Sequence, residues 1–258
     1  MSTETEEHMS TGFGKNFGSA RGEYDRGRPS YPAEAVAALI GTAVDIADIG
    51  AGTGKLTAGL LGEGRDVVAV DPDVRMLETL AAHLPEVETR VGTAEDLPLE
   101  NDSRDLLTFG QSWHWVDADI ASAEAARVLR PGGVLGLIWN IRDESVDWVA
   151  ALTEIITPSA AEQYVARIAG GSDGTVVSPF APPFTDVEHA RVDWVREISV
   201  DDLVALVASR SVAIHAEPKV RERMLEQTRS LGDQVRGEDG FVRLPYATHV
   251  FRSRADGQ

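Results

Sequence analysis

The 258-residue chain has no cysteine. That excludes a disulfide framework and any thiolate metal site. Its six histidines are scattered, with no pair at the i, i+4 spacing of a helical zinc site. Positive charge is scarce: 24 Lys and Arg against 42 Asp and Glu give a formal net charge of −18. Such a balance disfavours nucleic acid or an anionic membrane as the main partner, because both need basic patches. A small anionic ligand needs only one or two local arginines, so it is not excluded. No apolar run approaches the roughly 20 residues of a membrane span. Met1 to Ser10 is acidic and polar, unlike a secretory leader. The expected location is therefore cytoplasmic. No internal repeat is visible. With 43% hydrophobic residues, the chain can bury a sizeable core as one large domain or a core with an appended part.

What is present centres on Val44-Asp45-Ile46-Ala47-Asp48-Ile49-Gly50-Ala51-Gly52-Thr53-Gly54-Lys55. It reads as a short apolar strand, a glycine loop and the start of a helix. A loop that opens a helix presents unpaired N–H groups to a polar ligand. Three ligand classes use such loops. A phosphate-cradling P-loop needs Gly, four residues, then Gly-Lys-Ser/Thr. Here Leu56 replaces the hydroxyl and Ile49 the first glycine. A dinucleotide fingerprint needs a glycine where Lys55 stands. What remains is acid-x-Gly-x-Gly-x-Gly, from Asp48 to Gly54, beside the plain alternative of a glycine turn in an α/β protein.

Strand–helix alternation continues downstream. The spacing predicts a helix over 33–40, a strand over 44–49, a helix over 54–63 ended by Gly62 and Gly64, and a strand over 65–71. Asp71 ends that second strand, 23 residues past Asp48, where a carboxylate can bind a ribose diol. Asp73 reads mainly as the cap of a helix over 74–84. A third strand over 88–91 leads into Gly92-Thr93-Ala94-Glu95-Asp96-Leu97-Pro98. This is either an adenine-edge loop or an ordinary polar connection. A fourth strand over 104–110 precedes Gln111-Ser112-Trp113-His114-Trp115. The tryptophans suit a ligand wall or the core, and His114 a general base or a hydrogen-bonded structural residue. A helix capped by Asp117 or Asp119 reaches Leu129 and the turn Arg130–Gly133, and a fifth strand covers 134–140. Arg142 follows it, suited to a substrate anion or to solvent.

Beyond Asn140 the pattern changes. Helices are expected over 145–156 and 159–169, a loop over 170–183 and a strand over 187–198. Ser199 then caps a helix to Ala208, a longer helix covers 217–231, and a last strand covers 241–251. Ahead of all this, residues 1–22 read as a flexible N-terminus. Tyr24 to Pro32 is either a flap over a ligand or a proline-rich connector.

Asp48–Gly54, Asp71, Ala94-Glu95-Asp96-Leu97-Pro98 and Leu129-Arg130-Pro131-Gly132-Gly133 together resemble, in order, the landmarks of class I S-adenosylmethionine-dependent methyltransferases. Tyr24–Pro32, Trp113-His114-Trp115, Trp194, Ser209-Arg210-Ser211 and Leu244-Pro245-Tyr246 are similar to the trans-aconitate methyltransferase-like subgroup. The resemblance implies a Rossmann-like α/β fold: a doubly wound, mostly parallel seven-stranded sheet with the last strand antiparallel. It implies one domain over 23–258, with a cofactor core over 33–141, a helical cap over 142–186 and antiparallel edge strands with helices over 187–258. It implies S-adenosylmethionine as cofactor. Asp48, Gly50, Ala51, Gly52, Asp71, Thr93, Ala94, Glu95, Gln111 and Trp113 would lie against it. Thr93 stands where many members carry an acid.

The expected partner is a small-molecule methyl acceptor, with Tyr24, Arg28, Tyr31, Arg142 and Arg210 as its binding residues and His114 as the catalytic one. O-methylation of a carboxylate or hydroxyl leads. N- or C-methylation, a nicotinamide-dependent oxidoreductase and a non-catalytic S-adenosylmethionine-binding protein are the alternatives. No metal is expected.

Overall fold

The structure, a computed structural model, describes residues 29–170 and 175–255. Tyr24, Arg28 and the expected flexible N-terminus over 1–22 lie outside the described residues. In chain order the elements are α1 (Ala33–Ile40), β1 (Asp45–Ile49), α2 (Lys55–Leu60), β2 (Asp66–Asp71), α3 (Val74–His83), β3 (Glu88–Val91) and β4 (Arg104–Gly110). A short 3₁₀ turn at Trp113–Trp115 precedes α4 (Ala118–Val128) and β5 (Leu129–Arg142). Then come α5 (Asp147–Ile156), α6 (Ala160–Ile168), β6 (Val187–Ser199), α7 (Val200–Ala208), α8 (Ser211–Ile214), α9 (Pro218–Val235) and β7 (Phe241–Arg254).

The strands form one seven-stranded sheet in the order β3-β2-β1-β4-β5-β7-β6. β1 to β5 pair in parallel, and β7 runs antiparallel to both β5 and β6. The last strand is thus the antiparallel one, as the resemblance implied. From β1 the chain crosses to β2 on one side, while β4 pairs on the other. The reversal opens a crevice at the carboxyl ends of β1 and β4, the place where such sheets hold ligands.

Burial follows the strand period of two. One face carries Phe109, Trp139 and Phe251 against α4 and α6. The other carries Ile46, Leu106, Val134, Ile138 and Val250 against α1 and α2. A further cluster joins α5, α7 and α9 to Val242, Leu244 and Tyr246 of β7. It packs the part of the chain that follows the alternating core.

Two local readings need correction. α2 stops at Leu60 rather than running to 63. Leu61 turns extended, and the Arg65 guanidinium takes the free carbonyls of Leu60 (3.2 Å) and Leu61 (3.4 Å), so a side chain ends the helix before either glycine. The turn Arg130–Gly133 lies inside β5 as an irregularity: Leu129 pairs with Arg104, and the next pair is Val134 with Leu106. Arg130 Nη1 there reaches Asp45 and Asp105, both at 2.6 Å, and so clamps the starts of β1 and β4.

α1 lies so close to the sheet that a Cβ on Gly136 would sit 2.6 Å from Leu39 Cδ1. Overpacking of this kind costs about 1–3 kcal/mol. Gly136→Ala is therefore expected to lower the urea midpoint accordingly. Gly59→Ala meets nothing closer than Val36 at 3.4 Å and is expected to hold stability or raise it by up to about 1 kcal/mol, as alanine does in a helix.

Candidate active site

The glycine loop leaves β1 at Ile49 and re-enters helix at Lys55. Gly50, Gly52 and Gly54 all have positive φ, at 67°, 58° and 89°. Gly50 shows one reason why glycine is needed. A Cβ on Gly50 would meet Ser112 Cβ at 2.8 Å. Gly52 differs, because no atom of the described residues lies within 4 Å of where its Cβ would be. The space that a side chain would fill there is therefore open.

Beneath the loop lies Asp48, fully buried. Its carboxyl accepts from Thr57 Oγ1 at 2.7 Å and Thr108 Oγ1 at 3.1 Å, joining β1 to α2 and β4. Burial pushes this carboxyl up to about 7, against the pull of the two hydroxyls. It supports the loop from below rather than facing the crevice.

Asp71, at the end of β2, takes the upper position. Its Oδ2 accepts from Gly52 N at 2.9 Å and its Oδ1 from Asp73 N at 2.8 Å. Burial raises its carboxyl, and the two N–H groups hold it down. Two carboxylate oxygens have about four acceptor positions, so these bonds orient the group without exhausting it. Asp73 caps α3 through Arg75 N, as expected.

On the far wall, Ala94 is buried and Thr93 exposed, the latter bridged to Asp96. Glu95 Oε1 accepts from Asp117 N at 3.1 Å and so ties this loop to the cap of α4. Gln111 follows β4 with φ at 58°, a conformation uncommon outside glycine. Its amide donates to the Asn140 carbonyl at 3.1 Å. Trp113 is 1% exposed, packed edge-on to Phe109 at 4.7 Å and bonded through Nε1 to the Pro179 carbonyl. It is a core residue behind the crevice, not an open wall; Trp115 is the exposed indole. His114 sits between them, half-buried, with ring centroids 4.7 Å from Trp115 and 6.4 Å from Tyr164.

At the carboxyl end of β4, a Cβ on Gly110 would lie 2.9 Å from the Tyr31 hydroxyl, so Tyr31 packs there. Arg142 and Arg210 converge, but on Glu162: Arg142 Nη2 reaches Oε1 at 2.8 Å and Arg210 Nη2 reaches Oε2 at 2.6 Å. Burial pushes Glu162 up, yet the two guanidinium groups outweigh it and hold the carboxyl at about 2. Arg142 is buried, with Nε and Nη1 lacking hydrogen-bond partners among the described residues. No group of three or more metal-ligating side chains exists among the described residues.

Residues 47–137 match the model of a methyltransferase domain family. Over 245 residues the chain is 44% identical to the uncharacterized methyltransferase Rv3342 of Mycobacterium tuberculosis (strain H37Rv), covering 92% of this chain and 95% of that one. The chain belongs to the methyltransferase family. Its sheet has the mostly parallel seven-stranded arrangement, with the last strand antiparallel, that the class I resemblance implied. The uncharacterized methyltransferase C25B8.09 of Schizosaccharomyces pombe is 32% identical over 82% of this chain and 84% of its own. Among solved structures, a "Putative Type II Methyltransferase" from Anaeromyxobacter dehalogenans superposes with a TM-score of 0.67 at 24% identity, over 90% and 99% of the two chains. That likeness supports the fold.

Two residues of this methyltransferase escaped the sequence reading. Asn140 bonds Gln111, Ser30 and Thr248. An amide at the end of an apolar strand was the available signal. Glu162 was legible only as part of a helix start, through the capping box with Ser159.

The buried carboxyl beneath the loop sets a pH dependence. The folded chain binds a proton at Asp48 up to about pH 7, whereas an exposed carboxyl releases it near 4. Its contribution is full below that lower value and is lost as pH rises through 7. Between pH 5 and pH 8 the wild type is expected to lose on the order of 2 kcal/mol relative to Asp48→Asn, read as diverging urea midpoints. Parallel midpoints across that range would refute it.

Proposed function

We propose that this methyltransferase modifies a carboxylate or hydroxyl oxygen of a small molecule, as in the trans-aconitate methyltransferase-like subgroup that it resembles. The observation that carries the reading is one juxtaposition. Gly52 leaves open the space that a side chain would fill, and the Asp71 carboxylate is bonded to its N–H. A side-chain-free loop beside an oriented carboxylate fits the methionine and ribose parts of S-adenosylmethionine. Gly50, Ala51 and Gly52 would hold the former and Asp71 the ribose hydroxyls. Ala94, Glu95 and Thr93 would flank the adenine, with Gln111 on the methionine side, Trp113 packed behind it and Asp48 supporting the loop.

Bound S-adenosylmethionine supplies an electrophilic methyl group on a sulfonium, so the hard chemistry is the cofactor's. The protein's share is positioning. A carboxylate acceptor is already ionised at neutral pH and needs only donors. Arg142 offers two, Nε and Nη1, that no group among the described residues uses. Arg210 and Tyr31 complete this end of the site, and Tyr24 and Arg28 belong to the same reading. A hydroxyl acceptor would need a base within reach, the role reserved for His114. The net charge of −18 argues against a nucleic acid acceptor. No helix among the described residues is long and apolar enough to cross a membrane. A cytoplasmic location accords with this.

The test is calorimetry with S-adenosylhomocysteine, followed by mass spectrometry on a panel of carboxylic acids, phenols and amines. Wild type is expected to bind the ligand. Asp71→Ala is expected to lose at least about tenfold in affinity, the scale of one charge-assisted hydrogen bond. Arg142→Met is expected to raise KM for a carboxylate acceptor by about tenfold or more with a smaller change in kcat. Binding of NADH instead, unchanged affinity in Asp71→Ala, or methyl gain confined to amines would overturn the respective parts.

A further inference from the structure

The two edges of the sheet are unlike. β3, at one end, is 4 residues long. β6, at the other, is 13 residues long and pairs only with β7 among the described residues. An outer strand leaves alternate main-chain N–H and C=O groups unpaired, a template for another strand. Shortness protects β3; proline, lysine and bulges are the other usual protections. β6 contains no proline or lysine. Its register with β7 runs unbroken from the pair of Val187 with Ser253 to the pair of Ser199 with Phe241. Ala190, Arg191, Asp193 and Val195 along it are exposed.

What β6 carries instead is charge in a particular order. Glu188, Arg191, Asp193, Arg196 and Glu197 set two arginines against three acids, close to balance in a chain of net charge −18. Charges facing each other across two strands reject a mismatched neighbour and select a matched one. A twofold axis normal to the sheet would run two copies antiparallel and keep every side chain on its own face, so odd residues meet odd and even meet even. With that axis at Val192, Glu188 faces Arg196 of the second copy and Arg191 faces Asp193 of the second copy. Ala190 lies opposite Trp194, small against large. Within one chain Arg191 Nε already holds Asp193 Oδ1 at 2.7 Å. The two copies together then make a square of four charges whose every side joins opposite signs. Other registers lack this match. An axis at 191 sets arginine on arginine, and one at 193 sets aspartate on aspartate. Axes at 190 or 194 set acids on valines, Glu188 on Val192 or Asp193 on Val195.

We propose that β6 is a self-association edge, through which two copies of this chain pair antiparallel over 187–197 about Val192 and join their seven-stranded sheets into one continuous sheet. The main-chain ladder supplies the attraction, and the charge order fixes direction and register. The partner is a second copy because the pattern complements itself.

Sedimentation equilibrium on the full chain, with hydrogen exchange along β6, tests this. The wild-type mass is expected to approach twice 27.8 kDa as concentration rises. Every β6 amide is expected to slow in step, whereas a free edge leaves alternate amides open. Arg191→Asp sets acid against acid across the axis, and Asp193→Arg sets cation against cation. Each variant alone is expected to raise the dimer dissociation constant about tenfold or more, because the axis repeats the clash. Both positions are exposed, and unchanged circular dichroism separates a lost contact from a lost fold. An equimolar mixture of the two variants is expected to recover the wild-type mass, since each then faces the opposite charge on the other. The bond within one chain cannot explain that recovery, because neither variant regains it. A wild type monomeric at every concentration would overturn the proposal, whether its outer amides stay open or are covered by the chain itself. Single variants that dimerise like wild type, or a mixture that stays monomeric, would overturn it as well.

Discussion

The buried carboxyl of Asp48, held by the hydroxyls of Thr57 and Thr108, is the interaction on which the crevice depends. Three elements meet there: β1, the first turns of α2, and β4. An ionised carboxylate so buried, with two neutral donors and no cation, carries a large desolvation cost. The protein meets it by holding the proton until about pH 7. A neutral carboxyl can both accept and donate, which suits a pair of hydroxyls better than an anion would. The glycine loop above can then adopt its positive φ values because its two ends are fixed from below.

The acceptor end is built on opposite terms. Glu162 stays ionised because two guanidinium groups flank it, and the three charges tie β5, α6 and the α7–α8 junction together. Buried ion pairs of this kind add little net stability, since desolvation consumes most of the Coulombic gain. What the triad does is fix register: removing Glu162 would leave two buried or half-buried cations facing each other. It is therefore better read as what holds the cap helices over the end of β5 than as a source of folding energy.

The core was legible from sequence because each of its signals is local. Apolar runs at 44–49, 65–71 and 134–140, each followed by a glycine, an acid or an amide, mark strands and their functional ends without reference to distant residues. Asp73 as a cap and Ser199 as another were readable for the same reason. The end of α2 was misread because a side chain four to five residues on, the guanidinium of Arg65 rather than Gly62, folds back on its carbonyls. For Trp113 the sequence left wall and core both open; it lies in the core, bonded to Pro179 66 residues away, a contact no local pattern reveals. Arg142 and Arg210 could each be read as cationic, but their shared counter-ion on α6 depends on a packing no spacing reveals.

β5 shows how one strand serves both ends of the site. Through Ile138 and Trp139 it is buried on both faces. Past that point the faces diverge. Trp139 and Ile141 continue the apolar face against α6, while Asn140 and Arg142, two apart and so on the other face, turn polar. Asn140 serves the crevice through Gln111 and Ser30, and Arg142 serves the cap through Glu162 and Thr153. The spacing of two residues, about 7 Å along a strand, would set the proposed cofactor side and the proposed acceptor side next to each other on a single rigid element. On that reading the arrangement suits a methyl transfer, in which nucleophile, methyl carbon and sulfur must be held in line, and the sheet, rather than a loop, would hold the alignment.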